Sequence, residues 1–169
     1  MAQNVNGYQI HVDGIVQGVG FRPFVYNLAL KNGLRGWVRN TSSGVDIEIV
    51  GKTENLDLFL EVLQNNPPPL ARIDAITINP PESLDYPDFS IVHSQSITGD
   101  FIPISPDVSI CPYCQSELFD PTNRRFRYPF INCTNCGPRF SIIRDIPYDR
   151  PLTTMAHFEM CSDCAHEYS

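Results

Sequence analysis

The stretch VQGVGFRPF, residues 16–24, joins two segments of different periodicity and decides how the chain begins to fold. Before it, YQIHVDGIV (residues 8–16) alternates apolar and polar residues, which is the pattern of a half-buried β-strand. After it, apolar residues recur at helical spacing as far as Gly33, and glycine commonly follows the last turn of a helix. The sequence therefore predicts a strand, a glycine-containing loop and a helix in direct succession.

The segments that follow complete an α+β unit. Further strands are predicted at residues 34–40, 45–51, 71–80 and 88–94. A second helix, residues 53–66, begins with Thr53 as a candidate N-cap and meets a stop at PPP. Its apolar face consists of Leu56, Phe59, Leu60 and Leu63. The order strand, helix, strand, strand, helix, strand predicts a ferredoxin-like (split βαβ) sandwich, with two helices on one face of an antiparallel sheet.

Charge and composition narrow the classes of partner. The chain of 169 residues has a formal net charge of -7 and a pI of about 4.9, which disfavours binding to nucleic acid or to an anionic membrane. Its apolar runs fall short of the ~20 residues that a membrane helix needs. The first ten residues lack the features of a signal peptide. We therefore expect a cytoplasmic, reducing location, where cysteines serve as metal ligands more often than as disulfides.

Six cysteines form three C-x2-C pairs, all in the second half of the chain. Two such pairs separated by 15–20 residues complete a tetrahedral zinc site. The first two pairs fit this spacing, and the predicted ligands are Cys111, Cys114, Cys133 and Cys136. A metal site formed by the second and third C-x2-C pairs is also possible, but the segment between those pairs is longer. Disulfide bonds are the alternative to metal binding. A closed site with four cysteines predicts a structural zinc ion.

The third pair repeats the first at an offset of 50 residues, CPYCQSELF against CSDCAHEYS. We therefore interpret Cys161 and Cys164 as a zinc half-site at the start of a second module, and we expect the chain to be part of something longer. The half-site either lacks metal or takes a ligand from His157 or His166. The predicted division is residues 1–94, an α+β domain; 95–110, a proline-containing linker; 111–160, a loop-rich, zinc-ribbon-like module; and 161–169, the beginning of the second.

Zinc ribbons often bind nucleic acid, and the second half of the chain carries one basic cluster, Arg124, Arg125 and Arg127. Residues 95–169 hold six Arg or Lys and nine Asp or Glu, a net charge of -3. A Cys₄ zinc site adds further negative charge. We therefore expect these arginines to form structural ion pairs or a docking surface, and we expect no nucleic-acid partner.

The loop at residues 16–24 has the residue types of a phosphate cradle. Gly18 and Gly20 allow the backbone to fold into a nest of N–H groups at the start of a helix. Pro23 suits the first helical position, and Arg22 supplies a planar, permanently charged donor for phosphate oxygens. The alternative is an ordinary strand-to-helix turn with a solvent-exposed arginine. The spacing alone leaves both open.

GIVQGVGFRPFVYNLA followed by GWVRNTSSGVDIEIVG resembles the two signature segments of acylphosphatases, over about residues 7–94. The resemblance implies that loop amides and Arg22 bind the phosphate of an acyl phosphate, while Asn40 orients the attacking water. The implied cradle consists of Gln17, Gly18, Val19, Gly20, Phe21 and Arg22. One departure is the turn after Asn40, where the family usually has an acidic residue and this chain has Ser42-Ser43-Gly44.

The segment from CPYC to DRPLT is similar to the zinc-finger segment of the HypF carbamoyltransferases, the hydrogenase maturation proteins. Members of that family carry an acylphosphatase-like domain, then zinc modules, then nucleotide-dependent domains. The resemblance implies hydrolysis of carbamoyl phosphate to carbamate and phosphate, the first step of carbamoyl transfer to HypE for the cyanide ligands of [NiFe]-hydrogenase. ATP would be used only by domains absent from this chain. Two alternatives stay open: a zinc-stapled, anion-binding scaffold and a general acylphosphatase.

Overall fold

A computed structural model describes residues 5–94, 109–129, 131–133, 136–137, 142–145 and 150–168. Most of the predicted linker, residues 95–110, lies outside the described residues. The domain boundaries given above therefore remain a proposal. Within the described part of the chain, no helix is long and apolar enough to cross a membrane.

The first part of the chain forms the predicted ferredoxin-like α+β sandwich. Its elements are β1 (Val5–Ile15), α1 (Phe21–Lys31), β2 (Arg35–Asn40), β3 (Val45–Lys52), α2 (Thr53–Asn65), β4 (Arg72–Asn79) and β5 (Phe89–Ile91). The sheet order is β4-β1-β3-β2-β5. The predicted antiparallel sheet is confirmed for β1 to β4, and the short final strand β5 adds to β2 in parallel.

The hydrophobic core lies between the sheet and one layer of helices. Ile10 and Val12 of β1 and Ile47 and Ile49 of β3 are fully buried on the face that alternation predicts. The helices add Val25, Ala29, Leu56, Phe59 and Leu63. Leu60, which the helical pattern also placed here, is partly buried against this cluster. A fully buried side chain such as Phe59 stabilises the fold by about 1.5–3 kcal/mol.

The C-terminal end of α1 agrees with the sequence prediction, whereas the N-terminal end of α2 does not. After α1, Gly33 has φ 60°, and the N–H groups of Gly33 and Leu34 donate to the carbonyls of Leu30 and Ala29 at 3.0 and 2.9 Å. These two backbone hydrogen bonds form a Schellman motif, so the predicted end of the helix at Gly33 is confirmed. The predicted N-cap of α2 is wrong: Lys52 occupies the cap without a side-chain bond, and Thr53 is the first helical residue.

The cysteine-rich part repeats a small structural unit. The helices α3 (Pro112–Phe119) and α4 (Ser162–Tyr168) each begin directly after the first cysteine of a C-x2-C pair. In both, the fourth residue after that cysteine donates its N–H to the cysteine carbonyl at 2.9 Å, Gln115 to Cys111 and Ala165 to Cys161. The offset of 50 residues in the sequence is therefore a repeat of local structure as well.

A charged cluster occupies the sheet face opposite the helices. His11 Nδ1 lies 2.6 Å from Asp46 and its Nε2 lies 3.3 Å from Asp13, while Arg39 contacts Asp46 at 3.2 Å. The hydrogen bond to Asp46 raises the pKa of His11 above its ordinary value, against the opposing effect of burial. Burial alone would raise the pKa of Asp46, but the bonds from His11 and Arg39 outweigh it and lower that pKa. His11 is therefore part of an ion-pair cluster on the sheet surface, which is a structural role.

This cluster makes stability depend on pH. Because the pKa of His11 is raised in the folded state, its contribution is fully present below its unfolded pKa and is lost as pH rises through the folded pKa. We expect His11→Gln to reduce the free energy of unfolding by about 1 kcal/mol more at about pH 5.5 than at about pH 9. Urea unfolding followed by circular dichroism measures this. His93→Gln, an exposed histidine after β5, is the matched control; a pH-independent cost for His11→Gln would contradict the prediction.

Candidate active site and metal centre

Strand direction brings the predicted site residues to one edge of the sheet. Both β1 and β2 are antiparallel to β3, so they run in the same direction and their carboxyl ends meet at the same edge. Residues 16–20 follow β1, and Asn40 is the last residue of β2. Because β5 is parallel to β2, the residues after β5 also reach this edge.

The loop between β1 and α1 is concave because two glycines take left-handed backbone angles. Gly18 has φ 71° and Gly20 has φ 75°, a region that favours glycine. Gly20 is the N-cap of α1, whose first turn contains no acidic side chain. The amides of this turn have no intrahelical partner and lie at the positive end of the helix dipole. Pro23 is the third helical residue and not the first, and its missing N–H still falls within the first turn.

Gln17 connects this loop to the turn that follows Asn40. Its side-chain nitrogen donates to the carbonyls of Thr41 and Gly44 at 2.6 and 2.8 Å. These two bonds use both amide hydrogens, so Gln17 can serve an anion only through its backbone. Its side chain instead fixes the spacing between the loop and Asn40. The sequence placed Gln17 in the cradle but did not indicate this second task.

Arg22 and Asn40 flank the loop. Arg22 is half-buried, and its Nη1 lies 3.5 Å from the hydroxyl of Ser94, beyond the end of β5. Asn40 is 1% exposed, and its Oδ1 accepts no hydrogen bond from the described residues. Ser94 is a site residue that the sequence did not indicate. Its only signal was its position as the last residue of the predicted strand 88–94.

Four cysteines form a compact cluster in the second part of the chain. The sulfurs of Cys111, Cys114, Cys133 and Cys136 all lie within 4.8 Å of one another. The separations from Cys111 to Cys133 and from Cys114 to Cys136 are 3.6 and 3.8 Å. Four thiolates around a zinc ion at about 2.3 Å would lie about 3.8 Å apart in a tetrahedron. The four sulfurs therefore fit a tetrahedral metal ion, and these separations exclude disulfide bonds, whose sulfurs lie about 2.05 Å apart.

Hydrogen bonds prepare one of these thiols for metal binding. Burial disfavours the thiolate of Cys136, but the backbone N–H of Cys133, 3.3 Å from its sulfur, and neighbouring donors lower its pKa to about 7. Burial and the surrounding thiols raise the pKa of Cys114. A metal ion would replace the protons that the cluster shares.

The third cysteine pair does not complete a second cluster. Cys161 is exposed and Cys164 is half-buried. Among the described residues, only the four cysteines above form a group of three or more possible ligands, so neither His157 nor His166 joins this pair. Borrowing a histidine ligand is therefore not what the structure shows.

The basic cluster is engaged with acidic side chains and an aromatic ring. Arg124 lies 4.0 Å from Asp163, and Arg125 contacts Glu117 at 3.2 Å. Arg127 lies over the ring of Phe126, 5.9 Å from its centre. Two of the three arginines therefore form the ion pairs that the acidic composition predicted.

Comparison with known proteins agrees with this geometry. Residues 8–91 match the acylphosphatase family. An acylphosphatase of Bacillus subtilis is 43% identical over 89 residues, which are 52% of this chain and 97% of that protein. The chain belongs to the acylphosphatase family. Its acylphosphatase domain is followed by a second match, since residues 110–143 match the HypF finger.

Longer relatives contain both matched parts. The carbamoyltransferase HypF2 of Cupriavidus necator is 50% identical over 155 residues, 90% of this chain and 19% of that protein. A crystal structure of full-length HypF in the phosphate- and nucleotide-bound form is 53% identical and has a TM-score of 0.93, covering 98% of this chain and 22% of that one. The chain therefore spans about a fifth of the length of the HypF relatives that it matches, with an acylphosphatase domain and a HypF finger in the same order.

Proposed function

We propose that the acylphosphatase domain hydrolyses an acyl phosphate held between residues 17–22 and Asn40. The observation that carries the proposal is the pair of hydrogen bonds from the Gln17 side chain to the turn after Asn40. These two hydrogen bonds join the proposed anion loop and the proposed water-orienting residue in one rigid unit. Arg22, beside the same loop, would hold the phosphate together with backbone amides of the first helical turn.

The proposed reaction needs no covalent intermediate. Water attacks phosphorus, the bond between phosphorus and the acyl oxygen breaks, and the carboxylate leaves with the bonding electrons. The protons of the water end on the phosphate product and solvent. Arg22 and the loop amides stabilise charge on the phosphoryl oxygens, and Asn40, which both donates and accepts, orients the water. An acyl phosphate already has a good leaving group, so no further nucleophile is required.

We propose carbamoyl phosphate as the substrate, yielding carbamate and phosphate. The support is the combination of domains, because carbamoyltransferases named HypF match this chain across both the acylphosphatase domain and the finger. In this proposal the reaction is the first step of carbamoyl transfer to HypE, for the cyanide ligands of [NiFe]-hydrogenase in the cytoplasm. ATP-dependent steps would belong to parts of those longer proteins that this chain does not span.

We further propose that the ion held by the four cysteines is zinc. All four ligands are protein thiolates, so the site is closed, and the role is structural. Cys161 and Cys164 remain a proposed half-site.

Replacing Asn40 should separate chemistry from binding. We expect Asn40→Ala to lower kcat about 100-fold while KM changes little, because Arg22 and the loop still hold the phosphate. Phosphate release from carbamoyl phosphate measures both constants. Asn55→Ala is the matched control, since that amide lies on α2 and donates to the carbonyl of Asn32 at 2.8 Å. A rise in KM at unchanged kcat would contradict the role given to Asn40.

A general acylphosphatase is the second candidate, favoured by the 43% identity with the acylphosphatase of Bacillus subtilis. Comparison of kcat/KM for carbamoyl phosphate with that for acetyl and benzoyl phosphate distinguishes the two. A preference for carbamoyl phosphate supports the first candidate. A strong preference for the other two supports the second.

A further inference from the structure

Among the described residues, Gly137 of the cysteine-rich module contacts Gly18 of the proposed phosphate loop. Gly137 follows the metal ligand Cys136, and a Cβ atom added to it would lie 2.2 Å from the carbonyl oxygen of Gly18. A hydrogen of Gly137 therefore faces that oxygen where any other residue would place a carbon. The same glycine has φ 70°, so both its backbone and its surroundings require glycine.

This contact is tied to the metal site. The N–H of Gly137 donates to the carbonyl of Cys133 at 2.9 Å, within the knuckle that presents two of the four sulfurs. The N–H of Cys133 in turn contacts the sulfur of Cys136 at 3.3 Å. Cys136 itself is 2% exposed. Gly137 is therefore held by the metal-binding knuckle and does not follow the phosphate loop independently.

The direction of the Gly18 carbonyl determines the direction of a neighbouring donor. In a planar trans peptide the C=O and the following N–H point to opposite sides. The oxygen of Gly18 points to Gly137, so the N–H of Val19 points away from the finger. Gly18 permits rotation about its own ψ, whereas a full flip of this peptide would also give Val19 a positive φ, which a β-branched residue resists. The contact with Gly137 therefore limits the smaller rotations of the peptide about its present orientation.

We propose that Gly137 is a positioning residue for the phosphate loop. The metal-binding knuckle holds the Gly18–Val19 peptide so that the N–H of Val19 faces the anion. This inference rests on the proposed function, because it assumes that the loop binds phosphate. It assigns the finger a task in the first reaction, beyond the structural one of holding its own fold.

The test measures binding of inorganic phosphate by the full chain, using titration calorimetry and the ¹H–¹⁵N signal of Val19. We expect Gly137→Ala, and removal of metal from the unsubstituted chain by a chelator, each to weaken phosphate binding about tenfold, as for one lost bond to a charged group. The phosphate-induced shift of the Val19 signal should shrink in both. Gly33→Ala is the control: its φ is 60°, and an added Cβ meets nothing within 4 Å.

The outcomes separate this inference from the proposed function. If the unsubstituted chain binds phosphate and Arg22→Ala does not, while Gly137→Ala and the metal-free chain bind within twofold of the unsubstituted chain, the positioning role is overturned and the function stands. If Arg22→Ala binds as the unsubstituted chain does, the proposed function fails. Should Gly137→Ala lose its metal or fail to fold, the metal-free unsubstituted chain decides the matter by the same two measurements.

Discussion

We expect Arg22→Ala to lower kcat/KM for acyl-phosphate hydrolysis by about 1,000-fold or more. Arg22 lies in the first turn of α1, directly after the loop proposed to hold phosphate, and its Nη1 lies 3.5 Å from the hydroxyl of Ser94. A single donor to developing charge contributes about 100- to 1,000-fold, and a charged, bidentate donor contributes more. Phosphate release from carbamoyl and acetyl phosphate provides the measurement.

Two further variants sharpen this test. Arg22→Lys keeps the charge but loses the planar fork, so we expect an activity between that of the unsubstituted chain and that of Arg22→Ala. Arg72→Ala removes an exposed arginine that pairs with Asp74 at 2.9 Å on the edge strand β4, and it should leave activity unchanged. Equal rates of phosphate release by Arg22→Ala and the unsubstituted chain would instead favour the anion-binding scaffold.

We expect Cys114→Ser to abolish metal binding and to unfold the finger. In the described residues the finger's buried apolar cluster consists of Cys114, Ile131 and Cys136, which is too small a core to fold without a staple. A structural zinc ion contributes about 10–16 kcal/mol of apparent binding free energy. We expect the zinc content to fall from about one equivalent per chain to near zero. Elemental analysis measures the metal, and hydrogen exchange measures the fold.

The same experiment has an internal control in the third cysteine pair. Cys161→Ser leaves the four-cysteine cluster intact, so its zinc content and the exchange protection of residues 110–133 should match those of the unsubstituted chain. In Cys114→Ser, protection of β1 and β3 should persist, because among the described residues their core is formed by the sheet and the two helices α1 and α2 with their connecting segments. Two equivalents of zinc in the unsubstituted chain, or loss of zinc in Cys161→Ser, would show that the half-site interpretation is wrong.

The sequence predicted most of the fold because its signals are local. The alternation in residues 8–16, the stop at Gly33 and the strands at residues 34–40 and 45–51 each depend on a few consecutive residues, and all appear in the structure. Two details depend instead on neighbouring residues and strands. Lys52 has the extended angles of the cap, and Thr53 is the first helical residue. β5 is parallel to β2 because the chain returns after β4 in the opposite direction, which is the direction of β2.

The candidate site divides in the same way. Gly18, Gly20 and Arg22 are predictable because a nest, a helix start and a charged fork are properties of adjacent residues. The four metal ligands are predictable because thiolate chemistry and C-x2-C spacing restrict what they bind. Other features of the site could not be predicted from the sequence, since the residue types involved occur in every kind of loop. These are the position of Ser94, the two hydrogen bonds from the Gln17 side chain and the contact of Gly137 with Gly18.

The sequence by itself therefore determined the α+β class, the glycine-containing loop before α1 and the cysteine cluster, since periodicity, backbone preference and ligand chemistry are encoded in short stretches. The tertiary structure decided how these parts meet. Strand direction placed Asn40 beside the loop, and packing placed the knuckle against it, with Gly137 facing the carbonyl of Gly18. Such contacts join residues far apart in the chain, and only the packing of the whole molecule selects them. The loop at residues 16–24 is thus a local feature whose partners are chosen by the fold.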